Sequence, residues 1–284
     1  MYSLNKILQN IASQNNLNLI EAKPLSGGDI NEIFLLKCEE ESFVVKLNDA
    51  TKFPGMFKAE ANGLQLLRNS QSFRIPEVIA TDHIENTSYL LMVFLPEGNK
   101  TRNFWHHFAS NLAKLHQVSQ PYFGLDHDNY IGSLPQQNVK WNTASEFYIS
   151  QRLEPQFKMA LQHGFSFKNL DSFYKNISEE IPDEPSSLIH GDLWGGNYMV
   201  STQGESILID PAVAYASREM DIGMMQLFGG FSEEVFVYYN SIFPLKPNWE
   251  DRLPLWQLYY LLVHLNLFGL GYLRRVKSAV SKYS

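Results

Sequence analysis

The sequence predicts an α+β, two-lobed fold, with a small β-rich lobe over residues 1–95 and a larger, mainly helical lobe over residues 96–284. Three observations carry this expectation. Segments rich in β-formers, 30–37, 42–47 and 88–95, crowd the first third of the chain. LPEGNK (95–100) is a Pro/Gly break suited to a joint between lobes. Beyond it, apolar residues recur at helical spacing nearly to the end.

The start, MYSLNKILQNIASQNNL, places Leu4, Ile7, Leu8 and Ile11 on one helical face and lacks the long apolar core of a signal peptide. Between the second and third strand segments, FPGMFKAEANGLQLLRNS puts Phe57, Ala61, Leu64 and Leu67 at helical intervals, so one helix interrupts the strands. Further helices are expected over 102–118, 143–163, 167–180, 218–228, 232–242 and 251–280. Only 187–210 breaks this series, with short apolar runs at 188–189, 198–200 and 207–209, as in a hairpin-like insertion. The stretch LWQLYYLLVHLNLFGLGYL (255–273) is apolar enough to suggest a membrane span. Gln257, His264, Asn266 and three tyrosines would be costly in lipid, so a buried core helix is the expectation.

Composition removes several classes of function. Hydrophobic residues at 44% and charged residues at 19% describe a folded globular chain rather than a disordered one. A net charge of −7, with no Lys/Arg cluster, argues against nucleic acid as a partner. Cys38 is the single cysteine, so neither an intrachain disulfide nor a cysteine-based zinc site is possible. The histidines show no H-x-x-x-H spacing. A cytoplasmic, monomeric enzyme with no membrane partner is expected.

The chemistry concentrates in HGDLWGGN (190–197). Asp192 and Asn197 stand five apart, with His190 two before the acid, a spacing that protein kinases use for a catalytic base and a Mg²⁺ ligand. One short loop can then aim a carboxylate at an attacking hydroxyl and an amide oxygen at a metal-bound phosphate. Thirteen residues after Asn197, Asp210 closes the apolar run ILID, where a second metal ligand would stand. The alternative roles, a helix cap for Asp192 and a turn for Asp210, account poorly for the pair together.

The amino-terminal lobe supplies a matching nucleotide half. Gly27 and Gly28, in PLSGGDINEIFLLK, form a turn whose amides could face phosphate, although a plain hairpin turn would look the same. Lys46 lies within a strand between Val45 and Leu47, where its ammonium must snorkel or find an anion. Glu60, on the following helix, is its natural partner. Trp194 in the catalytic loop suits stacking on the C–H face of a sugar, and a plug between lobes is the competing role. Trp141, Tyr148 and Arg152, on the helix after Asn129-Tyr130-Ile131-Gly132, could complete a sugar pocket or simply pack that helix. His190 is expected to orient the loop backbone, His116 to tether a helix end to it, and Glu219 with Asp221 to lock it.

These residues resemble the fructosamine kinase (ketosamine-3-kinase) family, within the protein-kinase-like fold that also holds aminoglycoside and choline kinases. HGDLWGGN (190–197), DPAVAYASREMDIG (210–223), FGLDHDNYIGSLPQ (123–136), WNTASEFYISQRLEPQ (141–156) and QLYYLLVHLNLFG (257–269) carry the resemblance, in order over nearly the whole chain. It implies that Asp192 is the proton acceptor, that Asn197 and Asp210 hold Mg²⁺, and that Lys46 and Glu60 orient ATP. It also implies that Val93, Phe94, Leu95 and Pro96 form the hinge that receives adenine, and that Tyr130 and Trp194 belong with Trp141 and Arg152 to the substrate site. The implied substrate is a small-molecule or protein-bound ketosamine, phosphorylated at the sugar C3 hydroxyl. The phosphorylated adduct then falls away, which returns the free amine.

Two departures concern local shape. Relatives often carry a Gly-Gly-Gly-Cys run in the glycine loop, and its cysteine can join two chains; here the stretch is Ser26-Gly27-Gly28-Asp29, so that disulfide is impossible. After Asp-Pro-Ala, Ala214-Tyr215-Ala216-Ser217 replaces the usual aromatic-Tyr-Gly run. A kinase for an aminoglycoside or another amino-alcohol is the closest rival, and Trp194 with the 123–156 segment argues for the ketosamine branch. A nucleotide-binding pseudokinase is the rival from another class, and the complete set of competent catalytic side chains argues against it.

Overall fold

The computed structural model describes residues 4–25 and 30–284. Helix α1 (Leu4–Gln14) turns Leu8, Ile11 and Ala12 inward, the face that the leucine and isoleucine spacing predicts. It covers a five-stranded antiparallel sheet of β1 (Leu19–Leu25), β2 (Glu32–Cys38), β3 (Ser42–Asp49), β4 (Val78–Ile84) and β5 (Thr87–Val93), in the order β1-β2-β3-β5-β4. Between β3 and β4, α2 (Met56–Asn69) buries Phe57, Leu64 and Leu67. The three expected strands are present, and β1 and β4 are additional. Both are edge strands. Glu21, Lys23 and Pro24 on β1 and Asp82 and His83 on β4 blunt the two edges, which also hides these strands from an apolar criterion.

After β5 the chain becomes mainly helical, beginning with α3 (Phe104–His116). A short hairpin comes next, β6 (Asn129–Ile131) with β7 (Leu134–Gln136). The single helix expected over 143–163 is interrupted. α4 (Ala144–Phe147) and α5 (Glu154–Gln162) are joined by a π turn, Tyr148–Leu153. After α6 (Leu170–Glu180) come β8 (Ser187–Ile189), β9 (Tyr198–Val200), β10 (Ser206–Leu208) and β11 (Ala214–Ala216). β9 pairs with β10 as the anticipated hairpin, and β11 pairs with β8. Helices α7 (Glu219–Phe228), α8 (Glu233–Ile242), α9 (Trp249–Phe268) and α10 (Leu273–Tyr283) complete the chain.

The long helix expected over 251–280 is two helices. Gly269 takes φ 83°, which ends α9, and a 3-10 turn over Leu270–Tyr272 redirects the chain into α10. α9 is the central post of the helical part, burying Leu255, Trp256, Tyr259, Tyr260 and Leu262. The apolar stretch 255–273 therefore packs inside the protein as far as Leu265, while Phe268 and Leu270 beyond it are exposed. Among the described residues, no helix is long and apolar enough to cross a membrane. A second apolar cluster joins Phe57 and Leu64 of α2 to Phe104, Phe108 and Leu112 of α3, fastening the sheet side to the helical side.

Candidate active site

The loop from β8 to β9 holds His190 through Asn197, and its course depends on one glycine. Gly191 has φ 82°, and a Cβ there would stand 2.0 Å from the carbonyl oxygen of Ala212. The adjacent His190 is buried; its Nε2 donates to Ile209 O at 2.9 Å, and its Nδ1 accepts from Asp192 N at 3.3 Å. Burial pushes the His190 pKa down despite nearby acids, so the ring stays neutral and orients backbone, as its position suggested. Asp221, fully buried in the first turn of α7, accepts from His190 N at 2.8 Å and Gly191 N at 2.9 Å. His116 of α3 contacts the same carboxylate at 3.2 Å and the Tyr239 hydroxyl at 2.8 Å. Asp221 and His116 thus hold the loop. Glu219 does not share that role: it is committed to Arg252, at 2.6 Å and 3.0 Å, and to Trp256 Nε1 at 2.7 Å.

Within the loop, Asn197 Nδ2 donates to Asp192 Oδ2 at 3.0 Å and to Asp192 O at 2.8 Å. The amide nitrogen is therefore spent on Asp192, leaving the amide oxygen for a cation. Desolvation, opposed by the Asn197 bond and reinforced by the charges of Asp210 and Asp221, pushes the Asp192 carboxyl up to about 7. A divalent cation beside it would favour the ionised form again.

Across the cleft, β3 carries Lys46, only 4% exposed. Its Nζ lies 2.6 Å from Glu60 Oε1 on α2 and also bonds Asp210 Oδ1. Burial alone would lower the lysine pKa; the two carboxylates outweigh it and hold the ammonium above its ordinary value. Burial likewise raises Glu60, with the lysine opposing. Asp210 comes after β10 in the left-handed region at φ 55°, a conformation that aspartate tolerates better than most residues.

Asp210 and Asn197 fit a hard cation. Both offer oxygen, and among the described residues no cluster of three acidic, histidine or cysteine side chains forms a closed metal cage. Magnesium characteristically takes one or two protein oxygens and completes its shell with phosphate and water. The donor set here suits that division.

One cavity of about 680 Å³ unites these groups. Lys46, Glu60, Asp192, Trp194, Asn197, Asp210 and Tyr130 all line it. Trp194 is 41% exposed, so it is no plug between lobes. Val93 to Pro96 run on from β5 without lining the cavity, and Gly27 and Gly28 lie outside the described residues.

The sugar contacts expected of Trp141 and Arg152 are corrected by their positions, and of the two roles open to Tyr148 packing is the one observed. Trp141 packs against the helical core and exchanges backbone hydrogen bonds with Phe123. Tyr148 is buried, its hydroxyl donating to Leu255 O at 2.6 Å. Arg152, 1% exposed, points to the segment just after β7, donating to Gln137 O and to Asn138 Oδ1, each at 2.7 Å.

The far wall of the cavity is not apparent from the sequence. It is built from Val263, His264, Leu267 and Phe268 of α9, Tyr272 of the 3-10 turn and Phe228 of α7. The His264 ring lies 4.4 Å from that of Phe228, and its Nδ1 stands 2.8 Å from Tyr260 O. That bond keeps the proton on Nδ1 and leaves Nε2 an acceptor, while burial pushes the pKa down. The signal was a histidine in a mostly apolar stretch of helix; helical periodicity alone could not say that this face meets a cleft.

Comparison with known proteins gives the family and the fold. The sequence model of a family described as fructosamine kinase matches residues 2–284. A protein of Enterococcus faecium named a probable ketoamine kinase is 38% identical over 266 residues, which are 92% of this chain and 94% of that protein. A solved structure from Thermobifida fusca, reported as a candidate fructosamine-3-kinase, superposes with a TM-score of 0.88 at 29% identity, covering 98% of each chain. A spectinomycin phosphotransferase, solved in complex with ADP and spectinomycin, shares the fold with a TM-score of 0.63 at 14% identity, covering 99% of this chain and 92% of that one.

Proposed function

Since the chain belongs to the fructosamine kinase family, and is with it a phosphotransferase of the protein-kinase-like fold, we propose that it transfers the γ-phosphoryl group of ATP to the C3 hydroxyl of a ketosamine sugar. The observation that carries this reading is the meeting of Asp192, Asn197, Asp210 and the Lys46–Glu60 pair on one cavity. Asp192 accepts the hydroxyl proton as the sugar oxygen forms its bond to phosphorus and the bond from phosphorus to ADP breaks. Lys46, steadied by Glu60, faces the phosphates. Asn197 and Asp210 hold Mg²⁺, whose charge offsets that of the phosphates when bound. Trp194 offers its indole to the apolar face of the sugar, with Tyr130 beside it. Val93 to Pro96, where β5 gives way to the helical part, receive the base.

Phosphorylation at C3 puts a leaving group beside the ketoamine carbonyl, and loss of the adduct returns the free amine. The reaction is thus a repair of glycated amines. The test is ATP consumption by the purified protein against fructoselysine, ribuloselysine, an aminoglycoside panel and choline. Turnover with a ketosamine and not with the others is expected. Turnover with an aminoglycoside or choline alone would assign the chain to the rival kinases, and none with any acceptor, including protein-bound adducts, would favour a pseudokinase.

A further inference from the structure

Along the cavity wall at Asn129 and behind it lies a set of buried polar side chains for which catalysis gives no direct use. Asn129, Gln136, Asn138, Gln151, Arg152 and Tyr259 are all buried. Apolar side chains of similar volume would commonly fill such space with no loss of stability. The network therefore needs a reason, and its direction supplies one. Asn129 Nδ2 donates to Val213 O at 2.9 Å, and Gln136 Nε2 donates to Ala212 O at 3.3 Å. Both carbonyls belong to the segment just after Asp210.

The remaining bonds orient those two amides. Gln136 Nε2 and Asn138 Nδ2 donate to Asn129 Oδ1 at 2.7 Å and 2.9 Å. With its oxygen so occupied, the Asn129 amide must turn its nitrogen toward Val213. Tyr259 donates to Gln136 Oε1 at 2.6 Å, which fixes the glutamine the same way. Arg152 closes the set by donating to Asn138 Oδ1. The π turn contributes here: Gln151 and Arg152, adjacent in sequence, both reach one loop, with Gln151 Oε1 accepting from Val139 N at 3.1 Å.

The segment so gripped has little hold of its own. Asp210 is left-handed, Pro211 has no N–H to donate, and Ala212 N donates to His190 O at 2.9 Å. The catalytic loop thus holds it from one side and the β6–β7 hairpin from the other. The hairpin tip, Tyr130 to Ser133, also lines the cavity, and the Tyr130 hydroxyl donates to Pro54 O at 3.0 Å, just ahead of the helix that carries Glu60.

We propose that the β6–β7 hairpin positions the Asp210 carboxylate for Mg²⁺·nucleotide, with Asn129 and Gln136, oriented by Asn138, Arg152 and Tyr259, as positioning residues. The proposal rests on the kinase reading of the site and is independent of which acceptor is phosphorylated. The experiment is a titration of ADP binding at a series of Mg²⁺ concentrations, with no acceptor present, on wild type, Tyr259→Phe, Asn129→Ala and the control Ile177→Val. Ile177, on α6, is buried in the same core and is not a member of the hydrogen-bond network.

The expected result is metal-free ADP binding close to wild type in both network variants. The Mg²⁺ needed for half-maximal tightening should rise about 3- to 10-fold in Tyr259→Phe, the worth of one hydrogen bond, and further in Asn129→Ala. Ile177→Val should melt earlier and show no such rise. An unchanged Mg²⁺ requirement in Tyr259→Phe, or an equal rise in the control, overturns the proposal. Tyr259→Phe keeps its ring packing, so it decides the matter even if Asn129→Ala fails to fold. Absence of Mg²⁺-dependent tightening in wild type would remove the kinase reading itself, and the proposal with it.

Discussion

Lys46 and Asp210, 164 positions apart, are bonded across the cleft, and Glu60 holds the same ammonium from the other side. Two carboxylates thus share one buried cation. In a kinase, that lysine serves phosphate and that aspartate serves metal. The two bonds fix the Lys46 ammonium and the Asp210 carboxylate relative to one another across the cleft.

Asp192→Asn should lower kcat by roughly 10²–10⁴-fold while ATP affinity stays similar, because an amide cannot take the hydroxyl proton. Steady-state kinetics with a ketosamine checks this. Turnover within a few-fold of wild type would remove Asp192 as the acceptor.

The two metal oxygens should differ in kind. Asp210→Ala removes a charged ligand and should abolish turnover even at high Mg²⁺. Asn197→Ala removes a neutral one and should be partly rescued by excess metal. Full activity of both variants at low Mg²⁺ would place the ion elsewhere.

Trp194→Ala should weaken ketosamine phosphorylation far more than basal ATP hydrolysis if the indole meets the sugar, as proposed. Parallel assays of the two rates decide it. Equal losses would mean that Trp194 supports the loop rather than the substrate.

Gly191→Ala should damage folding before chemistry. It combines strain at φ 82°, worth about 1–3 kcal/mol, with a contact 2.0 Å from Ala212 O that cannot persist. Thermal unfolding should show a midpoint lowered by roughly 5 °C or more. A wild-type midpoint would mean that the loop has freedom its packing denies.

Cys38 should be chemically quiet. It is half-buried at the end of β2, and burial, followed by the charge of Glu41, pushes its thiol pKa up and keeps thiolate scarce. Activity should be indifferent to diamide, with no reductant-sensitive dimer on a non-reducing gel. Inactivation by diamide, restored by dithiothreitol and absent in Cys38→Ser, would reveal a redox switch.

The catalytic loop was legible in sequence because its chemistry is local: Asp192, Asn197 and their glycines lie within eight residues (190–197). Lys46 and Glu60 were legible because a charge inside an apolar strand demands a partner. The edge strands β1 and β4 were not, since edges are protected by the polar residues that erase a strand's apolar signature. The sequence assigns Arg152 to the substrate side, and leaves Tyr148 between pocket and packing, because helical spacing assigns a face but cannot say whether core or cleft lies beyond it. The π turn shifts even that assignment. The segment from Asn129 belongs to a hairpin whose side-chain amides bond to carbonyls some eighty residues away, a relation that no local pattern encodes.

Trp194 leans on a second glycine of the loop: a Cβ at residue 196 would come within 2.4 Å of Trp194 Cη2. The ring therefore rests against bare backbone while much of it remains open to water. Of the five tryptophans, it alone lines the cavity, the others being buried or half-buried elsewhere. Its environment is the one that must change when the cavity fills, from aqueous to desolvated. The protein thereby carries a built-in fluorescent reporter. Occupancy of the cavity beside Trp194 can be followed as a shift in indole emission, without a label and without waiting for phosphate to move.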